Sequence, residues 1–86
     1  MSPEFRQMPQ YFFDYKDGSR IYFDNEGTEL PDLERARADA LLAIGGIAKG
    51  KMPDGDSRDF QISIREGDGP VLMVVSLALR VEHKRY

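Results

Sequence analysis

Between Gln10 and Ala40 the chain reads QYFFDYKDGSRIYFDNEGTELPDLERARADA, and this stretch constrains the fold more than any other. An aromatic strand, a glycine turn, a second aromatic strand and a proline-started helix follow one another with almost no slack. Period-2 alternation places Tyr11, Phe13 and Tyr15 on one face of a strand over Gln10–Tyr15, with Phe12 and Asp14 on the other. Lys16-Asp17-Gly18-Ser19 is a hairpin signal, because Asp-Gly supplies the positive-φ positions of a tight turn. The return strand is expected over Arg20–Asp24, with Tyr22 and Phe23 on opposite faces, and a polar loop over Asp24–Glu29.

The helix is expected to start near Pro31, whose missing N–H costs nothing in the first turn, and to run to about Lys49. Asp32 and Glu34 place negative charge where the helix dipole favours it, and Gly50 suits a left-handed C-terminal position. Leu33, Ala36, Ala40, Leu41, Ile44, Ile47 and Ala48 form one apolar arc; Glu34, Arg35, Asp39, Lys49 and Leu42 lie opposite. Gly45-Gly46 interrupts the helix at about 1 kcal/mol each relative to alanine, which reads as close packing or a slack last turn.

Beyond a turn-rich segment over Met52–Ser57, Phe60, Ile62 and Ile64 alternate with Gln61, Ser63 and Arg65 in a half-exposed strand. Glu66-Gly67-Asp68-Gly69-Pro70 closes a second hairpin, and the last strand spans Val71–Val81. Its residues Val71, Met73, Val75, Leu77, Leu79 and Val81 share one face; Leu72, Val74, Ser76, Ala78 and Arg80 share the other. The order is β-β-α-β-β: an α+β two-layer sandwich with one helix on a four-stranded, largely antiparallel sheet. Leu33, Ala40, Leu41, Ile44 and Ile47 are the expected helix face on that sheet. One domain is expected over residues 8–82, with a frayed end over 83–86. Residues 1–7 are expected to be a tail, since Ser2-Pro3-Glu4-Phe5 resembles residues left by a cloning vector.

Eighty-six residues make a small core, and the chain has no cysteine, so neither a disulfide nor a cysteine-built metal finger can support it. The remaining support for such a core is oligomerisation. A net charge of −3 is an ordinary surface and not an electrostatic footprint for nucleic acid. No segment approaches the ~20 apolar residues that span a bilayer, and no basic-then-apolar leader opens the chain, so no membrane association is expected and the expected compartment is the cytoplasm.

The acidic stretch of Asp14, Asp17, Asp24, Glu26, Glu29 and Asp32 raises the question of a metal, because hard cations need several converging oxygens. The spacing after Asp24 does not fit a calcium-binding helix–loop–helix loop, and turns, caps and solubility explain these acids. No metal or cofactor is expected. His83 is the only histidine, and no serine or threonine has a base partner in the pattern, so no catalytic residues and no enzymatic activity are expected. The glycines match no phosphate-binding motif. The aromatic stripe could stack bases, but basic residues do not interleave with it, so it reads as core and nucleic acid is not an expected partner.

The string YFFD over Tyr11–Asp14, then D-x-E-G-x-E-L-P-D-L-E over Asp24–Glu34, then ARADA over Ala36–Ala40, resembles a family of small domains of unknown function found in rhizobia and related alphaproteobacteria. The resemblance continues through Pro53-Asp54-Gly55 and the closing strands, about Met8 to Val81. It implies a small, stand-alone bacterial protein and carries over no site residues. More loosely, the layout is similar to HicB-type antitoxin domains, although the third strand those domains place before the helix is not visible in the sequence.

One helix covers one face of such a sheet, and an uncovered face on a monomer should be polar. Here Leu72, Val74 and Ala78 share one side of the last strand and Phe12 one side of the first; with Leu42 on the helix, these are the candidate interface residues. The expectation is a non-enzymatic protein-binding or regulatory module that forms a homodimer and engages a protein partner. The alternatives are an antitoxin-like regulator of a small toxin, and a metal- or ligand-responsive sensor using the 24–32 loop.

Overall fold

The structure, a computed structural model, describes residues 8–50 and 57–85. Six elements follow in order: β1 (Gln10–Asp17), β2 (Arg20–Tyr22), β3 (Thr28–Glu29), α1 (Leu33–Gly50), β4 (Ser57–Glu66) and β5 (Val71–Arg80). The sheet runs β2-β1-β4-β5, with β3 also on β1, and every one of these pairings is antiparallel. The α+β layout is as expected. The sheet has a fifth strand because the short β3 pairs with the start of β1 ahead of the helix. A two-residue strand has no periodicity to read. The expectations for residues 1–7 and for the turn at 52–56 lie outside the described residues.

The first hairpin closes with Gly18 and Ser19 as its two loop residues, between the Asp17↔Arg20 pair. Gly18 sits at φ +61°, as a tight turn requires of its first loop residue. Asp17 is therefore a strand residue, and its buried carboxylate holds Arg58 of β4 through bonds of 3.0 and 2.9 Å. The second hairpin turns at Gly67, φ +57°, with the Gly69 N–H donating to the Glu66 carbonyl at 3.0 Å.

α1 begins at Leu33, two residues later than Pro31 would set it. Asp32 is the N-cap: its Oδ1 accepts the Arg35 N–H at 2.9 Å, and its carbonyl accepts the Ala36 N–H. At the other end Gly50 is the last helical residue and does not adopt a positive φ. The buried ridge is Ala36, Ala40, Ile44 and Ala48, four residues apart, with Leu33 and Ile47 packed beside it. Leu41 was expected in that face but is 45% exposed. It projects about 60° around the helix from Ile44, and the sheet does not reach that far. The alanines bring the helix close over Phe60, Ile62 and Ile64 of β4, which are 0–3% exposed. Tyr11 is buried under the helix start, Phe13 and Tyr15 pack against the core, and Tyr22 stacks on Tyr15 with ring centroids 5.6 Å apart. The aromatic stripe is thus core or its margin. At Gly45 and Gly46 an added Cβ would meet nothing within 4 Å, so these glycines do not serve close packing.

β5 departs from strict alternation at one point. Ile64 pairs with Met73 but Arg65 pairs with Val71, so the ladder skips a residue at Leu72. A bulge of this kind reverses the facing of everything beyond it. Val71, expected under the helix, therefore lies opposite Arg65 on the helix-free side and is 51% exposed.

Candidate functional site

Two parts of the molecule combine unusual chemistry with accessibility: the acidic loop between β2 and α1, and the helix-free face of the sheet with its β5 edge.

The loop is built around Asp24. After Tyr22 the chain leaves β1 and returns to it at Thr28, so the middle of the β1 edge has no strand beside it. The Asp24 carboxylate fills the gap. Its Oδ2 accepts the Phe13 N–H at 3.0 Å, and its Oδ1 accepts the Glu26 and Gly27 N–H groups, both at 3.0 Å. In return the Asp24 N–H donates to Asp14 Oδ1 at 3.0 Å. Arg65, reaching from β4, ties the parts together: Nε donates to Asp14 Oδ2 at 2.9 Å, Nη2 to the Asp24 carbonyl at 3.2 Å, and Nη1 to the Gly67 carbonyl at 3.0 Å. Its guanidinium also lies 4.6 Å from the centroid of the Phe12 ring. Gly27, at φ +75°, completes the packing; a Cβ there would come within 2.9 Å of the Phe12 ring and the Gln10 side chain.

These bonds set the protonation of both acids. Burial pushes the Asp14 carboxyl up, but hydrogen bonds from Arg65 and the Asp24 N–H outweigh it and hold the group below its ordinary value. Burial likewise acts on Asp24, and the N–H groups of Gly27, Phe13 and Glu26 bring it down. The oxygens of Asp24 and Asp14 are thus taken up by backbone and arginine donors, and Asp32 caps the helix. Among the described residues, no three acidic or histidine side chains converge as a cation site would need.

The helix-free face is different in kind. Register places Phe12, Asp14 and Lys16 of β1, Ile21 of β2, Gln61, Ser63 and Arg65 of β4, and Val74, Ser76 and Ala78 of β5 on this side, together with Val71. Ile21, Val71 and Val74 are 52, 51 and 50% exposed, and Phe23, just past β2, is 67% exposed. Val71, Ile21 and Phe23 border a shallow groove of about 210 Å³ floored by Gln61 and Ser63. A second groove of about 210 Å³ lies beyond Lys16, against Ser76 and Ala78. Ligand pockets for small molecules run to ~300–1,000 Å³ and enclose their occupant, which neither groove does.

Of the candidate interface residues, Val74 and Ala78 are exposed on this face, and Leu72 sits at the bulge beside it, 46% exposed. Phe12 is on the same face but half-covered by Arg65 and Gly27. Leu42 stands apart: it is 78% exposed on the helix, which packs on the opposite side of the sheet. Ile21, Phe23 and Val71 were missed in the sequence. Ile21 and Phe23 could have been found from the return strand's alternation; Val71 could not, because its facing depends on the bulge.

A family model described as a domain of unknown function, DUF6894, matches residues 10–78. The chain belongs to that family. The matched span of the DUF6894 domain opens with β1 and ends within β5, so it takes in the Asp24 loop, the helix and both hairpins. No curated protein and no solved structure matches the chain.

Proposed function

We propose that this DUF6894 domain is a non-catalytic protein-binding module of the bacterial cytoplasm that acts through self-association and a protein partner. The observation that supports this reading is the helix-free face, where Val71 and Val74 stand half-exposed beside the open edge of β5 and Ile21 and Phe23 are half-exposed or more on the β2 side of the same face. Contiguous exposed apolar surface of that kind marks interaction sites. The face offers open grooves and not an enclosed cavity, which suits a macromolecule better than a small substrate. The lack of cysteine is in keeping with a reducing compartment. Sedimentation equilibrium over a micromolar range tests the self-association. The expected result is a mass that rises above the 9.8 kDa of one chain as concentration increases. A mass that stays at the monomer value throughout would refute it.

A second reading is a regulator that inhibits a small toxin. It is favoured by β3, a short strand ahead of the helix, which completes a three-strands-then-helix order. That is an analogy of layout. Its test is copurification with, and neutralisation of, a toxin encoded beside the gene.

A further inference from the structure

We infer that the free edge of β5 is a docking strand for a second copy of this chain, paired antiparallel about a two-fold axis at Ser76. The inference rests on the self-association proposed above and specifies its geometry.

β5 is ten residues long and pairs with β4 on one side only. Alternate N–H and C=O groups along its other side, about five residues' worth, therefore have no strand to meet. Natural edges are guarded by charge, proline or brevity. From Val71 to Leu79 the strand carries no charged residue and no proline. Its core-facing side chains Met73, Val75, Leu77 and Leu79 pack against the core yet remain half-buried. Those they pair with or neighbour on β4, Phe60, Ile62 and Ile64, are almost wholly buried. Among the described residues, what β5 lacks is a neighbouring strand on its outer side.

The charges at the two ends select the orientation. The end of β4 and the turn before β5 carry Glu66 and Asp68, whereas Lys84 and Arg85 follow the other end of β5, outnumbering Glu82, which lies 3.9 Å from Lys84. Parallel pairing would set acid beside acid and base beside base; antiparallel pairing sets each turn against the basic end of the other copy. A two-fold axis through such a pair stands perpendicular to the sheet and passes through one residue of each copy, Val75 or Ser76. Centred on Ser76, the register places Val74 opposite Ala78 and Val75 opposite Leu77. Continued past the strands, with the bulge at Leu72 taking up one residue, it brings Asp68 level with His83, next to Lys84 of the second copy. Centred on Val75, it would bring Asp68 level with Val81, next to the acidic Glu82 and further from the basic end. The Ser76 register is therefore the one inferred. It makes one continuous sheet with both helices on the same side.

The chain has no cysteine, so a single introduced thiol reports without interference. Ser76→Cys is expected to form a disulfide-linked dimer on mild oxidation. Ser19→Cys, in the turn at the opposite edge, is expected to stay monomeric under the same treatment. On the unaltered chain, amide hydrogen exchange is expected to show every amide from Leu72 to Leu79 protected at high concentration, and only alternate ones after dilution. Asp68→Lys should weaken the dimer about two- to fivefold, and adding Lys84→Glu should restore it. A monomer at all concentrations would overturn both this inference and the self-association. A dimer in which Ser76→Cys gives no crosslink, with only alternate β5 amides protected, would overturn the edge pairing alone, leaving stacked helix-free faces as the mode of association.

Discussion

The two edges of this sheet solve the same problem in opposite ways. On the β2/β3 side, the edge of β1 is covered by two strands too short to template another chain, and the gap between them is closed by the Asp24 carboxylate on the Phe13 N–H. Arg65 and Gly27 then lock that loop over Phe12. On the other side, β5 presents a ten-residue, mostly aliphatic strand with no other strand beside it among the described residues. An exposed polar backbone must find hydrogen bonds from water, side chains or another strand. One edge has been given side chains for this purpose; the other has been left available. The difference teaches where to look for a partner: at the edge the fold does not seal.

The largest expected effect falls on both edges together. Ile44 is 4% exposed at the centre of the helix ridge, and Ile44→Ala should cost about 2–5 kcal/mol in urea unfolding. That approaches the whole stability of a domain this small, so sealed and bare edges should melt as one. A variant that keeps its melting temperature within about a degree would show that the helix does not support the sheet.

Next comes the lock on the sealed edge. Gly27→Val places a branched side chain at φ +75° and against the Phe12 ring, and about 3 kcal/mol should be lost to strain and overpacking. Exchange of the Phe13 amide should quicken more than that of any β4 amide. If the loss is equal everywhere, the loop is not a separate seal.

Asp24→Ala removes the acceptor of three backbone N–H groups and should cost about 2 kcal/mol at neutral pH. The same group predicts an acid dependence. Unfolded Asp14 and Asp24 titrate near the ordinary 3.8, and both sit lower in the folded chain. Their contribution is complete above that value and is lost as pH falls through it towards the depressed folded values, because the unfolded chain takes up protons first. Urea midpoints measured from pH 7 down to about 2 should fall less steeply in Asp24→Ala than in the parent. Equal slopes would mean that Asp24 is not held by these bonds.

The smallest effect on folding is expected at the bare edge. Val74 is half exposed, so Val74→Lys should change the stability of the dilute chain by no more than about 0.5 kcal/mol. The same change places a charge on the unguarded strand and should lower self-association. A large loss of stability with association unchanged would erase the contrast between the edges.

Much of the fold was legible in the residues alone. The Tyr11/Phe13/Tyr15 and Phe60/Ile62/Ile64 alternations, the Gly18 and Gly67 turns and the Ala40–Ile44–Ala48 spacing are local signals, and each fixes an element by period or by φ. The side of the sheet left open was legible too, because one helix cannot cover two faces. The unread features all depend on contacts between distant segments. Leu41 is exposed because the sheet ends short of it, Val71 crosses to the open face because a bulge forms against Arg65, and β3 exists because β1 pairs with it. The acids of the 24–32 loop show the same division. Sequence could say that turn and capping chemistry suits them. Only the tertiary structure decided that Asp24 closes a strand gap ten residues away from Asp14, and that Arg65, from the far side of the helix in sequence, holds both. Periodicity and turn chemistry act within a few residues, whereas edges, bulges and ion pairs are set where segments meet, and that meeting is written in no single stretch of the chain.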